Sequence, residues 1–230
     1  MRTHRSIPIL IFFSSLLLAA CFSAAREEPA AMDDIFFEYS VNAEEGNDSV
    51  SVLLKFKEFD EYGQAISIEP GMVSLDGVSI SADSTPMTGP FYTLNKHINE
   101  FTGKHRIEVV LPDQKKYRED FSFQPFSLRA AIPDTLKRSK LQLEFNGLAS
   151  GEVVRLIVTD TSFTGDGIHR LDSIWNNRLL ITRNELSFLE SGPINLELTR
   201  ESAKRLRYGT SAGGVLSMSY SIRKECWLRD

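Results

Sequence analysis

The feature that most constrains this chain is a two-residue alternation of apolar and polar side chains that recurs about every dozen residues. Ile194-Asn195-Leu196-Glu197-Leu198-Thr199 shows it cleanly. In Val215 to Ile222 it sets Leu216, Met218, Tyr220 and Ile222 against Val215, Ser217, Ser219 and Ser221. Successive side chains of a strand point to opposite faces, so each such run has one wet and one packed side. Similar runs fall at 35–41, 49–57, 72–75, 78–81, 91–94, 105–111, 117–123, 141–145, 152–159 and 178–182. Asp76-Gly77 between two of them suits the positive φ angles of a two-residue hairpin turn. A 3.6-residue period is found only over Arg200 to Tyr208, where a two-turn helix is expected, capped by Thr199 and stopped by Gly209.

The chain has 230 residues, of which 42% are apolar and 25% charged, enough for a packed core. Only 2 are cysteine, so disulfides cannot carry the fold. The expected fold class is all-β: two tandem antiparallel β-sandwich domains over 35–125 and 126–230, with the boundary at Gln124-Pro125-Phe126.

Ahead of the strands, Arg2, His4 and Arg5 precede an apolar run from Ile7 to Ala20. Fourteen residues cover roughly 21 Å as a helix, short of the ~30 Å bilayer core, so residues 1–20 are expected to be a secretory signal peptide. The run closes on Leu18-Ala19-Ala20-Cys21, which resembles the lipobox of bacterial lipoproteins. That resemblance implies cleavage before Cys21, acylation of its thiol and a membrane anchor through lipid. Phe22 follows in place of the aspartate that retains lipoproteins at the inner membrane, which favours the outer membrane. Residues 21–34 are small, charged or Pro and are expected to form a flexible tether. With Cys21 acylated, Cys226 is the one thiol left and is expected to be a buried structural one.

Strand alternation, together with Val73-Ser74-Leu75-Asp76-Gly77 and the later Phe91-Tyr92, resembles the tandem immunoglobulin-like domains of cell-envelope lipoproteins. The resemblance implies a fold and no chemistry. The Cys…Trp…Cys signature of antibody-type domains is absent.

Charge is unevenly divided. Residues 30–125 carry 17 Asp and Glu against 8 Lys and Arg, net −9, whereas 126–230 carry 12 against 15, net +3. An acidic first half argues against nucleic acid as a partner, since phosphate binding needs clustered cations. Arg200, Lys204, Arg205 and Arg207 with Tyr208 form a local basic patch that suits an acidic glycan, lipopolysaccharide phosphate or the acidic first half itself.

The chain is poor in catalytic signatures. His97, His105 and His169 lie far apart in sequence with no zinc spacing, and no cofactor is implied. Gly209-Thr210-Ser211-Ala212-Gly213 matches a nucleophile-elbow pattern, but the strand follows it instead of preceding it, so it reads as a turn. Asp160, Asp166 and Asp172 flank a Gly-rich loop as oxygen ligands for calcium, without the EF-hand spacing. Trp175, Asn176, Asn177 and Arg178 form the most ligand-like cluster: an indole to stack on a sugar, with amides and a guanidinium to read hydroxyls or carboxylates. The expected function is a non-catalytic, lipid-anchored envelope protein that binds or assembles with other envelope proteins. A surface glycan-binding lipoprotein for polysaccharide uptake and a hydrolase with an unrecognised site are the alternatives.

Overall fold

The computed structural model describes residues 33–161 and 167–230; the signal peptide, Cys21 and Asp166 lie outside them. The alternating segments are strands. The first half contributes β1 (Ile35–Glu44), β2 (Ser49–Glu58), β3 (Ala65–Ile66), β4 (Met72–Leu75), β5 (Val78–Ile80), β6 (Ala82–Thr85), β7 (Gly89–His97), β8 (Gly103–Val110) and β9 (Lys116–Phe123). The second contributes β10 (Ser127–Leu128), β11 (Thr135–Lys137), β12 (Leu141–Asn146), β13 (Val153–Asp160), β14 (Ile168–Ser173), β15 (Arg178–Ile181), the one-turn helix α1 (Arg183–Leu186), β16 (Gly192–Arg205) and β17 (Gly214–Arg229). No helix among the described residues is long and apolar enough to cross a membrane.

In the first half, strands in the order β1-β2-β7-β6 face a second sheet ordered β5-β4-β8-β9. Asp76 and Gly77 both have positive φ, as a two-residue turn between β4 and β5 requires. Phe37 on β1 meets Tyr117 on β9 edge to face across the two layers, with centroids 5.2 Å apart. In the second half, β10-β12-β15 faces β14-β13-β16-β17, and β11 adds in parallel to the end of β17. Both strand orders are those of an immunoglobulin-type sandwich. The buried faces are the alternating apolar residues, such as Phe37, Tyr39 and Val41 on β1 and Leu196, Leu198, Ile222 and Leu228 on β16 and β17.

The two sandwiches share their last two strands. β16 and β17 are 14 and 16 residues long and pair without a break from Gly192↔Leu228 to Arg205↔Val215. Sixteen residues extend about 50 Å, nearly three times a common strand. The half nearest the C-terminus completes the second sandwich. The other half runs on past it and lays β17 in parallel against β1, from Phe37↔Gly214 to Glu44↔Ser221. The start of β17 therefore extends the sheet of the first sandwich. Gly214 opens this pairing: a Cβ there would sit 2.5 Å from the Phe37 carbonyl oxygen and 2.7 Å from Leu206 Cδ1.

Two expectations are corrected. Arg200 to Arg205 is strand and not helix, and Thr199 lies inside the strand and not at a cap. Every residue from Arg200 to Arg205 has a partner on β17, and those cross-strand contacts outweigh a helical preference worth only tenths of a kcal/mol per residue. The last two residues expected in the tether, Asp33 and Asp34, are tied down: their carbonyls accept from the Ser211 and Phe59 N–H groups.

Tyr220 sits where the hairpin passes between sandwiches, against Phe123 of the first at 6.3 Å and Phe126 of the second at 5.4 Å. Tyr220→Ala is expected to lower stability by about 3 kcal/mol. Urea unfolding of the parent should show one transition for both halves, and the variant should separate the halves in hydrogen exchange.

Candidate functional site

The junction is built around Arg200, which pairs with Tyr220 in the hairpin register. Its guanidinium donates to the Gln124 carbonyl, lies 5.7 Å from the centre of the Phe126 ring, and reaches the Glu152 carboxylate at 3.6 Å. One side chain thus grips the linker and the second sandwich together. A cleft of about 260 Å³ opens beside it, lined by Gln124, Glu152, Arg200, Ser202 and Tyr220 among others.

Further along the hairpin, Lys204 Nζ lies 2.6 Å from Glu119 Oε1 and donates to the Asp120 carbonyl at 3.0 Å. The Arg207 N–H donates to Glu119 Oε2 at 3.1 Å. Glu119 is buried in the first sandwich, so the hairpin supplies the charge and the donor that let this carboxylate stay there. The basic patch seen in the sequence therefore faces the acidic first half.

Beyond Lys204 the hairpin tip and the β8–β9 edge enclose a groove of about 710 Å³, lined by Met72, Lys116, Tyr117, Arg118, Arg207 and Tyr208 among others. It adjoins a second hollow of about 320 Å³ that shares Arg118, Arg207 and Tyr208 and adds Arg205. The Ser211 hydroxyl at the tip contacts the Asp33 carbonyl and lies 2.8 Å from Asp34 Oδ1. The elbow-like pentapeptide is the hairpin turn that holds down the chain entry.

Trp175, Asn176, Asn177 and Arg178 stay together as the turn from β14 to β15. Asn176 and Asn177 both have positive φ, and the Arg178 N–H closes the turn onto the Trp175 carbonyl at 3.2 Å. Side-chain amides tolerate that conformation, which is why an Asn pair stands here. Trp175 is 63% exposed. Its ring edge passes Gly151, whose N–H donates to Ile174 O, and the next residue, Glu152, lines the junction cleft. Arg178 pairs with Glu144 at 3.2 Å.

The described calcium candidates do not converge. Asp172 is opposite Val154, six residues back from Asp160 on β13, which puts them about 20 Å apart. Asp160 accepts from the Glu190 N–H at 2.8 Å, and Asp172 pairs with Arg170 at the same distance. His97, His105 and His169 stand on β7, β8 and β14. His105 stacks on Phe101 at 3.9 Å, donates from Nε2 to the Phe101 carbonyl, and sets Nδ1 2.8 Å from Asp76 Oδ2, pinning the β4–β5 turn. Sequence reasoning missed the groove because Arg207 lies about ninety residues from Lys116 and Arg118. The one available signal was the basic run at 200–207.

No protein-family model matches the chain, and no curated protein matches it. Among solved structures it is similar to the two immunoglobulin domains of DIP-gamma, at 10% identity and a TM-score of 0.25, covering 81% of this chain and 94% of that one. It is also similar to a 1.5-MDa bacterial ice-binding adhesin (13% identity, TM-score 0.26, 87% of this chain) and to the Yersinia pseudotuberculosis adhesin InvE (10%, 0.26, 87%). The chain spans 65% and 60% of those two adhesin chains. Likeness at these scores carries no argument about function, and the sandwich assignment rests on the strand order.

Two titrations test the local geometry. Cys226 is free and buried, and burial pushes its thiol up, so a thiol reagent at pH 8 should modify it only as fast as the protein opens. Burial alone would raise the Glu185 carboxyl, but the Thr182 N–H and hydroxyl and the Arg170 guanidinium together hold it below its ordinary value. A lowered carboxyl stabilises the fold above its unfolded pKa and loses that contribution as pH falls through the folded one. NMR titration should find Glu185 protonating below the ordinary glutamate range, with the α1 cap loosening as it does.

Proposed function

We propose that this chain is a lipid-anchored protein of the bacterial cell envelope, held at the outer membrane through acylated Cys21, and that it serves as a non-catalytic binding or assembly module. Residues 35–125 and 126–230 supply its two sandwiches, and 21–32 the tether. Support for the anchor comes from Leu18-Ala19-Ala20-Cys21 and from Phe22 after it. The observation that carries the binding reading is the exposed Trp175 indole on a rigid two-residue turn. A large ring left in water on a fixed scaffold is costly to leave uncovered and ready to bind. The hairpin fixes both sandwiches in one relation, so a partner meets a preformed surface.

A second reading, recognition of a surface glycan for polysaccharide uptake, is favoured by the position of Trp175 beside the junction cleft. There Glu152, Gln124 and Arg200 offer hydroxyl-binding groups within the reach of a saccharide stacked on the ring. In either reading Asn176, Asn177 and Arg178 frame the contact, and no nucleic acid or cofactor takes part.

Intact-mass analysis of membrane-extracted protein should show a lipid-sized increment on a chain beginning at Cys21, lost in Cys21→Ser. A lipid-free chain starting beyond Cys21 overturns the anchor. Trp175→Ala should abolish capture of an envelope partner or glycan while shifting stability by less than about 0.5 kcal/mol. Unchanged capture overturns the role of this turn.

A further inference from the structure

We infer that the groove between the hairpin tip and the β8–β9 edge is a binding site for an anionic polysaccharide. The inference rests on reading the chain as a non-catalytic binding module, but its own observations include neither the lipid anchor nor Trp175. Three anions of this face are each matched to a cation: Glu108 to Arg118 at 2.9 Å, Asp120 to Arg106 at 2.7 Å, and Glu119 to Lys204 at 2.6 Å. That leaves Lys116, Arg205 and Arg207, whose side chains make no ion pair among the described residues. The surplus is local, because five of the eight Lys and Arg of the acidic first half fall between residues 104 and 118, and the hairpin brings the cations of the second half to meet them. An anion here gains charge-assisted hydrogen bonds that bulk charge would not suggest.

The lining also selects the shape of the ligand. Tyr208 stands 61% exposed and lines both hollows, and Tyr117, half-buried against Phe37, lines the larger one. A sugar ring can lay its C–H face on such a ring and turn a carboxylate or sulfate toward Arg207 and Lys116. The joined hollows suit an extended chain of such units. An acidic polypeptide adding as a strand is disfavoured, since Lys204 already occupies the Asp120 carbonyl and the Arg207 N–H is given to Glu119.

The test is retention of the full-length protein, in neutral detergent, on immobilised polygalacturonate and dextran sulfate, with neutral dextran and polyglutamate as controls. Binding is expected on at least one anionic polysaccharide, falling with salt, and the arm that binds tells carboxylate from sulfate. The double variant Lys116→Ala with Arg207→Ala should weaken it about tenfold, and Tyr208→Leu should weaken it further. Lys116 and Arg207 are both exposed and line the groove, and an unchanged urea midpoint checks that the variants fold. Absence of binding to both polyanions, equal retention on polyglutamate, or an unaffected double variant each overturns the inference. The Cys21 mass and the Trp175 capture experiments are read separately, so failure of this site and failure of the general binding reading are distinguishable.

Discussion

The parallel pairing of β17 with β1 is the contact on which the rest of the molecule depends. It joins the first strand of the fold to the last, residues separated by nearly the whole chain, and it does so with a hairpin already anchored in the second sandwich. At its midpoint the Arg200–Tyr220 rung places a cation and an aromatic ring among Gln124, Phe123, Phe126 and Glu152. A short linker such as Gln124-Pro125-Phe126 would by itself allow the two units to turn about it. With eight paired residues of β1 on the hairpin, that freedom is removed. The closing contacts at the tip, Gly214 against Phe37 and Ser211 against Asp33, then fix the point at which the chain enters the fold.

The same hairpin redistributes charge. A chain whose first half is strongly acidic would be expected to repel anions over that whole surface. Folding instead uses Lys204 to neutralise buried Glu119 and delivers Arg205 and Arg207 beside Lys116 and Arg118. The result is a cationic groove on the acidic half, next to two tyrosines. Trp175 stands apart from it, beyond the junction, so the molecule offers two chemically distinct surfaces held in a fixed relation.

Much of the fold was legible. Period-two alternation located most of the long strands because one buried face per strand leaves its mark on every second residue. Asp76-Gly77 announced its turn through residues that accept positive φ. Arg200 to Arg205 misled, because a solvent-facing edge strand rich in charge carries no alternating apolar face, and an Arg/Lys run scores as helix when nothing says what lies beside it. Leu171, 62% exposed on β14, blurred that strand for the same reason. The Trp175 cluster, singled out for its residue types, stays contiguous because all four residues belong to one turn.

By itself the sequence determined the all-β class, the placement of most strands, the hairpin turns and the lipobox-like segment, each a property of neighbouring residues. Only the tertiary structure decided that β16 and β17 serve both sandwiches, that Glu119 meets Lys204, and that Lys116, Arg118, Arg207 and Tyr208 surround one groove. The physical reason is that strand pairing is set by which edges are left open after each sheet forms. That choice joins residues far apart in the chain through backbone hydrogen bonds, which every sequence possesses and no side-chain pattern spells out.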